Sequence, residues 1–74
     1  MSRLPVLSGR EILKILYQLG YRKVRQRGSH IRLEGEDKRP VTVPDYKEVD
    51  RSLLKKILRD AEITADQFVE MIRG

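Results

Sequence analysis

The sequence predicts an α+β fold with the order α-β-β-β-α-α, in which helices cover one face of a three-stranded antiparallel sheet. Apolar residues recur at helical spacing near both ends of the chain and alternate with polar residues in the middle. A Gly-Ser pair separates two of the alternating runs, which is typical of a two-residue β-hairpin loop. The 74 residues are expected to form a single domain, 1–74, because a second core usually requires a longer chain.

The first helix is predicted over residues 9–19. Ser8 and Glu11 have the spacing of a capping box, in which each side chain accepts a hydrogen bond from the other residue's backbone N–H. Gly20 suits the left-handed position that follows many helices. One apolar stripe of this helix consists of Ile12, Ile15, Leu16 and Leu19.

The hairpin is centred on Gly28-Ser29, which suits a type II′ turn because glycine accepts the positive φ of the first central position. Such a loop determines the register of the two strands, and directly opposed residues point to the same side of a sheet. A shift of this register by one residue would place charged side chains on the buried face of the sheet. The predicted pairs are Arg27–His30, Gln26–Ile31, Arg25–Arg32 and Val24–Leu33. The predicted basic face therefore carries Lys23, Arg25, Arg27, His30 and Arg32, and the apolar face Val24, Gln26, Ile31 and Leu33.

The second half of the chain predicts one strand and two helices. After a polar turn, the third strand is expected over residues 39–43, with Val41 and Val43 facing inward. Asp50 can cap a second helix over residues 51–61, and Thr64 with Gln67 forms a capping box for a third. The expected core-facing residues are Leu54, Ile57, Leu58 and Ala61 in the second helix and Phe68, Val69 and Ile72 in the third.

The chain has three tyrosines, and each can be given an expected role in packing or in binding. Tyr17 and Tyr21 are expected to pack against helices. Tyr46 follows Pro44-Asp45 in a loop and is either a packing anchor or a platform on which a base stacks. Packing is the favoured interpretation of Tyr46.

The composition limits the function classes. The net charge is +5, and residues 1–39 hold ten Lys/Arg against four Asp/Glu, whereas residues 40–74 hold six against seven. This uneven charge favours a polyanionic partner, although a solvated basic surface that aids solubility is the competing interpretation. Without cysteine and with one histidine, neither disulfides nor a protein-built metal site nor a cofactor is expected. No signal peptide or membrane span is predicted, so the expected location is the cytoplasm.

His30 is the residue on which chemistry is predicted to depend. Imidazole takes up and releases protons near neutral pH, and RNA carries its own nucleophile in the 2′-hydroxyl. Neighbouring arginines can hold the phosphate and stabilise negative charge in the transition state. A surface histidine without function is the competing interpretation. The predicted RNA contacts are Lys23, Arg25, Arg27, Gly28, Ser29 and Arg32.

Five segments also carry a family resemblance over residues 8–68. They are SGRE at 8–11, LGY at 19–21, VRQRGSH at 24–30, VTVP at 41–44 and LLKKIL at 53–58. Their order and spacing resemble HicA-type toxins. The most specific part is R-G-S-H, with V-P about a dozen residues later. Tyr46 stands where family members often have a histidine.

The resemblance implies a fold similar to a double-stranded-RNA-binding domain and a metal-independent mRNA interferase. It also implies that His30 is catalytic, that Gly28 supports activity, and that a HicB-type antitoxin binds the toxin and masks its site. The free protein is expected to be a monomer. Two alternatives stay open: an RNA- or DNA-binding module without catalysis, and a protein-interaction module whose basic face binds an acidic partner.

Overall fold

The computed structural model describes residues 4–74 and has the predicted element order. The helices are α1 (Gly9–Gln18), α2 (Arg51–Asp60) and α3 (Ala65–Arg73), and the strands are β1 (Arg22–Arg27), β2 (His30–Glu34) and β3 (Val41–Pro44). The strands form one antiparallel sheet in the order β1-β2-β3. The α+β prediction is therefore confirmed. None of the helices in this described part of the chain is long and apolar enough to cross a membrane.

The helix ends follow the local chemistry that the sequence predicts. Ser8 and Glu11 form a reciprocal capping box, and Gly20 has the positive φ of 97° expected after α1. Asp50 caps α2 through a hydrogen bond from the backbone N–H of Leu53. A second capping box, between Thr64 and Gln67, begins α3. The helices start where predicted to within a residue, because each start depends on contacts between residues close in sequence.

The core lies between the sheet and the helices. The inner face of the sheet presents Ile31, Leu33, Val41 and Val43, all buried. Both α1 and α2 pack on β3, and α3 packs on the two helices and has the ring of Phe68 fully buried. The helices therefore cover one face of the sheet, as predicted, and the opposite face is open except where α2 borders it beside β3.

The hairpin register is confirmed for three pairs and wrong for the fourth. Arg27–His30, Gln26–Ile31 and Arg25–Arg32 are opposed as predicted. A β-bulge between Lys23 and Arg25 then adds an extra residue to β1, so Leu33 pairs with Lys23 instead of Val24. Val24 occupies the bulge and is 43% exposed. It is not part of the apolar face.

Other packing predictions also need correction. Tyr21 is buried as expected, and its hydroxyl donates to the carbonyl of Arg39 at 2.9 Å. Tyr17 is 44% exposed, and Ile72 is 38% exposed on the last turn of α3. The third strand begins at Val41, two residues later than predicted.

Hydrogen bonds to the N-terminal segment and to α1 hold the loop between β3 and α2, and the start of α2, in place. The N–H of Val49 donates to Leu7, and the guanidinium of Arg51 donates to the carbonyl of Leu4. The N–H of Gly9 donates to the carbonyl of Tyr46 at 2.9 Å. A Cβ on Gly9 would lie 2.0 Å from the carbonyl oxygen of Pro44, so only glycine allows α1 to approach this loop so closely.

Candidate functional site

The free face of the sheet, called the outer face below, gathers most of the predicted site residues. Arg27 lies directly opposite His30, and Arg25 lies directly opposite Arg32. Because opposed residues point to the same side, these four side chains share the outer face. Thr42 continues it on β3, opposite Arg32. The hairpin register therefore places an exposed histidine among three arginines.

Lys23 is not on the outer face. The bulge places it opposite Leu33, on the side of the sheet that α1 covers. Its ammonium donates to the side-chain oxygen of Gln26 at 2.7 Å. Lys23 and Gln26 line a surface groove together with Leu13 and Tyr17 of α1. The prediction that Lys23 shares a face with His30 is therefore wrong, because it assumed an uninterrupted alternation along β1.

The outer-face arginines are available for an anionic ligand. Arg32 donates from Nη1 to the hydroxyl of Thr42 at 3.2 Å, which orients its half-buried side chain along the face. Within residues 4–74, neither Arg25 nor Arg27 nor Arg32 forms a salt bridge, whereas Arg10 pairs with Asp45. Guanidinium groups without a carboxylate partner are the preferred protein ligands for phosphate.

The hairpin turn brings the backbone of the loop after β3 close to His30. Gly28 has a φ of 55°, as a glycine in the first central position of a type II′ turn requires, and open space surrounds its α-carbon. The side-chain amide of Gln26 donates to the carbonyl of Gly28 at 2.9 Å. The carbonyl of Ser29 accepts a 2.6 Å hydrogen bond from the N–H of Asp45. The turn is thus held against the segment that carries Tyr46.

His30 also borders a groove of about 330 Å³ between the outer face and α2, called the His30 groove below. Thr42 and Arg32 line it from the sheet, and Tyr46 lines it from the loop. Tyr46 is 45% exposed, so the interpretation as a packing anchor is wrong. The remaining residues of the groove are Pro40, Pro44, Leu53, Lys56, Ile57 and Asp60.

Of the residues that line this groove, only His30 and Arg32 were predicted as site residues. The other groove residues with a polar or aromatic side chain are Thr42, Tyr46, Lys56 and Asp60. The two α2 residues carry no local sequence signal, because their proximity to His30 depends on how α2 lies against β3. Tyr46 did carry a local sequence signal, since an aromatic residue after a Pro-Asp pair in a loop is a candidate for stacking on a nucleobase.

Three acidic residues lie between the end of β2 and the start of β3: Glu34, the last residue of β2, and Glu36 and Asp37 in the turn that follows. Nowhere in residues 4–74 do three or more His, Asp or Glu side chains form a group that could hold a metal ion.

Comparison with known proteins places this arrangement in a class of bacterial toxins. The model of the HicA toxin family, described as the HicA toxin of bacterial toxin–antitoxin systems, matches residues 9–63. The match runs from α1 through α2 and includes the whole outer face and the His30 groove. The chain belongs to the HicA toxin family.

The structural comparison agrees with this assignment. The chain is similar to a solved chain described as a toxin–antitoxin complex from Streptococcus pneumoniae, with a TM-score of 0.69 and 29% sequence identity. The similarity covers 77% of this chain and 98% of the other. No curated protein has a significant match to the chain.

Proposed function

We propose that this protein is a toxin that cleaves mRNA as a metal-independent endoribonuclease, with His30 as its general acid or base. The observation that carries the proposal is the position of His30, which is exposed on the outer face, directly opposite Arg27 and on the same side of the sheet as Arg25 and Arg32. A proton-transfer group among unpaired guanidinium groups suits a reaction in which a phosphodiester gains negative charge.

The chemistry follows from the substrate. A base removes the proton of a 2′-hydroxyl, O2′ attacks the adjacent phosphorus, and the bond from phosphorus to O5′ breaks as an acid protonates O5′. The products are a 2′,3′-cyclic phosphate and a free 5′-hydroxyl. His30 accepts the first proton when neutral or donates the second when charged. The transition state needs no metal-activated water, because the nucleophile belongs to the RNA.

The arginines of the outer face have the complementary role. Their guanidinium groups are proposed to hold the phosphates and to stabilise the additional negative charge that develops as O2′ attacks. Gly28 and Ser29 are proposed to contact the RNA through the turn, where the open space around Gly28 allows a phosphate to approach the backbone.

An antitoxin is the proposed protein partner. The family consists of toxins from toxin–antitoxin systems, and the similar solved structure is described as a toxin–antitoxin complex. A HicB-type antitoxin that covers the outer face would block access to His30. The unpaired cations of that face and the net charge of +5 favour a partner surface rich in acidic residues.

A non-catalytic RNA-binding module is the second candidate. One observation favours it: His30 is the only histidine of the chain, so a second imidazole cannot supply the other proton transfer. In this alternative, His30 is one more contact to the nucleic acid.

Cleavage of a labelled single-stranded RNA in excess EDTA tests the proposal. His30→Ala and His30→Gln should both lower the cleavage rate by roughly 10²–10⁴-fold, since neither side chain can transfer a proton near neutral pH. Glutamine retains polarity and size, which makes it the stricter test of proton transfer. Both variants should have the circular dichroism spectrum of wild type, because His30 is exposed and its replacement leaves the core unchanged. Activity of His30→Gln equal to that of wild type would refute acid–base catalysis, and RNA binding without cleavage by wild type would favour the second candidate.

A further inference from the structure

The His30 groove has a composition that differs from the rest of the outer face. Its apolar wall residues are Pro40, Pro44, Leu53 and Ile57. Thr42, Lys56 and Asp60 add a hydroxyl, an ammonium and a carboxylate, and the exposed ring of Tyr46 lies beside them. A surface that binds only phosphates needs neither apolar walls nor an aromatic ring.

We propose that the His30 groove binds one unpaired nucleobase of the RNA, next to the cleaved bond, and that Tyr46 is the platform on which this base stacks. This inference rests on the proposed ribonuclease function and specifies the form of its substrate. A nucleobase has flat, weakly polar faces, which match the ring of Tyr46 and the apolar wall, and a polar edge, which matches the polar side chains that make up the rest of the groove. The groove volume of about 330 Å³ is large enough to hold one nucleobase.

The loop holds Tyr46 as a rigid support and leaves its ring free. The backbone carbonyl of Tyr46 accepts a hydrogen bond from the N–H of Gly9. The N–H of Asp45, the residue before Tyr46, donates a hydrogen bond to the carbonyl of Ser29 in the hairpin turn. These two hydrogen bonds connect the loop to α1 and to the turn that precedes His30. A stacking surface with little freedom to lose on binding contributes more to affinity than a mobile one.

The groove adjoins the surface proposed to hold the phosphates. Arg32 and His30 belong to both, so a strand whose phosphates follow Arg25 and Arg27 can place a base directly into the groove. This continuity allows one RNA strand to occupy the outer face and the groove together. A base within a duplex would first have to leave its stack, which costs a few kcal/mol. The groove therefore selects single-stranded RNA.

Tyr46→Ala tests the inference, with Tyr17→Ala as a matched control. The two tyrosines are equally exposed, at 45% and 44%, but Tyr17 lies on α1 in a different groove. The probe is a short single-stranded oligonucleotide with 2′-O-methyl groups, which binds without being cleaved. One position carries 2-aminopurine, whose fluorescence falls when it stacks on a ring.

We expect Tyr46→Ala to weaken binding of this probe by about 5- to 150-fold, the range for losing one stacked base, and to abolish the quenching of 2-aminopurine at one position. Tyr46→Phe and Tyr17→Ala should bind like wild type. Removing the base at the quenched position should weaken wild type but not Tyr46→Ala, because both changes remove the same contact.

Equal affinities of Tyr46→Ala and wild type would overturn the base-binding role. If wild type still cleaves RNA through His30, the ribonuclease proposal would survive that result. Loss of antitoxin binding by Tyr46→Ala with unchanged RNA affinity would assign the groove to the protein partner instead. Failure of wild type to bind the probe would overturn the inference, and failure to cleave unmodified RNA as well would overturn both proposals.

Discussion

The bulge in β1 predicts that two basic residues close together in the sequence contribute differently to RNA binding. Lys23→Ala and Arg25→Ala each remove one positive charge from an exposed position of the same strand. The long-range electrostatic attraction of RNA therefore falls by a similar amount in both variants. Only Arg25 lies on the outer face with His30, whereas Lys23 is on the opposite side with Gln26.

The expected magnitude follows from the number of phosphate contacts. The outer face offers three arginines, and each contact to a single strand changes the slope of log K against log salt by about −0.7. Wild type and Lys23→Ala should then have slopes near −2, and Arg25→Ala near −1.4. Raising the salt from about 50 to about 200 mM should weaken wild type about 18-fold and Arg25→Ala about 7-fold.

Fluorescence anisotropy titrations of the uncleavable oligonucleotide at several salt concentrations measure these slopes. The strand must be free of base pairs, and each variant must have the circular dichroism spectrum of wild type. Equal slopes for Lys23→Ala and Arg25→Ala, or a larger change for Lys23→Ala, would refute the assignment of phosphate binding to the outer face.

Two further predictions concern the fold that positions the site. Gly9→Ala should lower the free energy of unfolding by roughly 1–3 kcal/mol in urea titrations, because the new Cβ would lie 2.0 Å from the carbonyl oxygen of Pro44, although alanine normally stabilises a helix; an unchanged or increased stability would contradict this contact. Tyr21→Phe should cost about 1 kcal/mol, because the carbonyl of Arg39 loses its hydrogen bond. Burial raises the pKa of Tyr21, and the carboxylates of Glu62 and Asp60 raise it further while Arg39 opposes them. Tyr21 therefore ionises more readily in the unfolded chain, so its contribution to stability is complete below about pH 10 and is lost as the pH rises through the folded-state pKa. Wild type should lose more stability than Tyr21→Phe between about pH 8 and about pH 11, and equal losses would contradict this.

Local chemistry made much of the fold predictable. The capping boxes at Ser8 and Thr64 and the glycine of the hairpin turn each depend on residues within a few positions of one another. The turn then determined three hairpin pairs, including the Arg27–His30 pair at the centre of the candidate site. The turn chemistry alone therefore predicts that His30 and the arginines opposite and beside it share one face of the sheet.

The bulge could not be predicted in the same way. Val24 continues the alternation of β1, so the sequence favours a regular strand with Val24 opposite Leu33. In the structure Val24 is the extra residue and Lys23 takes the pairing position. A bulge reflects how a strand twists against its neighbours, and no glycine or proline marks this one.

The groove depends on contacts between distant parts of the chain. Lys56 and Asp60 line the His30 groove because α2 packs on β3, and Tyr46 lines it because hydrogen bonds from Gly9 and to Ser29 hold the loop. Tertiary packing also decides which predicted core residues stay exposed. Tyr17 and Ile72 were both expected to pack against the core, and both are exposed. Helical spacing identifies an apolar stripe but not how far its edges are covered.

The most direct test of the central claim is the single-turnover cleavage of one RNA in excess EDTA, with and without a single 2′-deoxynucleotide on the 5′ side of the cleaved bond. If His30 promotes attack by the 2′-hydroxyl, wild type should cut the all-ribose strand, leave a 2′,3′-cyclic phosphate and fail to cut the substituted strand at that bond. His30→Gln should be slower on the all-ribose strand by roughly 10²–10⁴-fold. Cleavage of the deoxy-substituted bond, or equal rates for wild type and His30→Gln, would contradict the account.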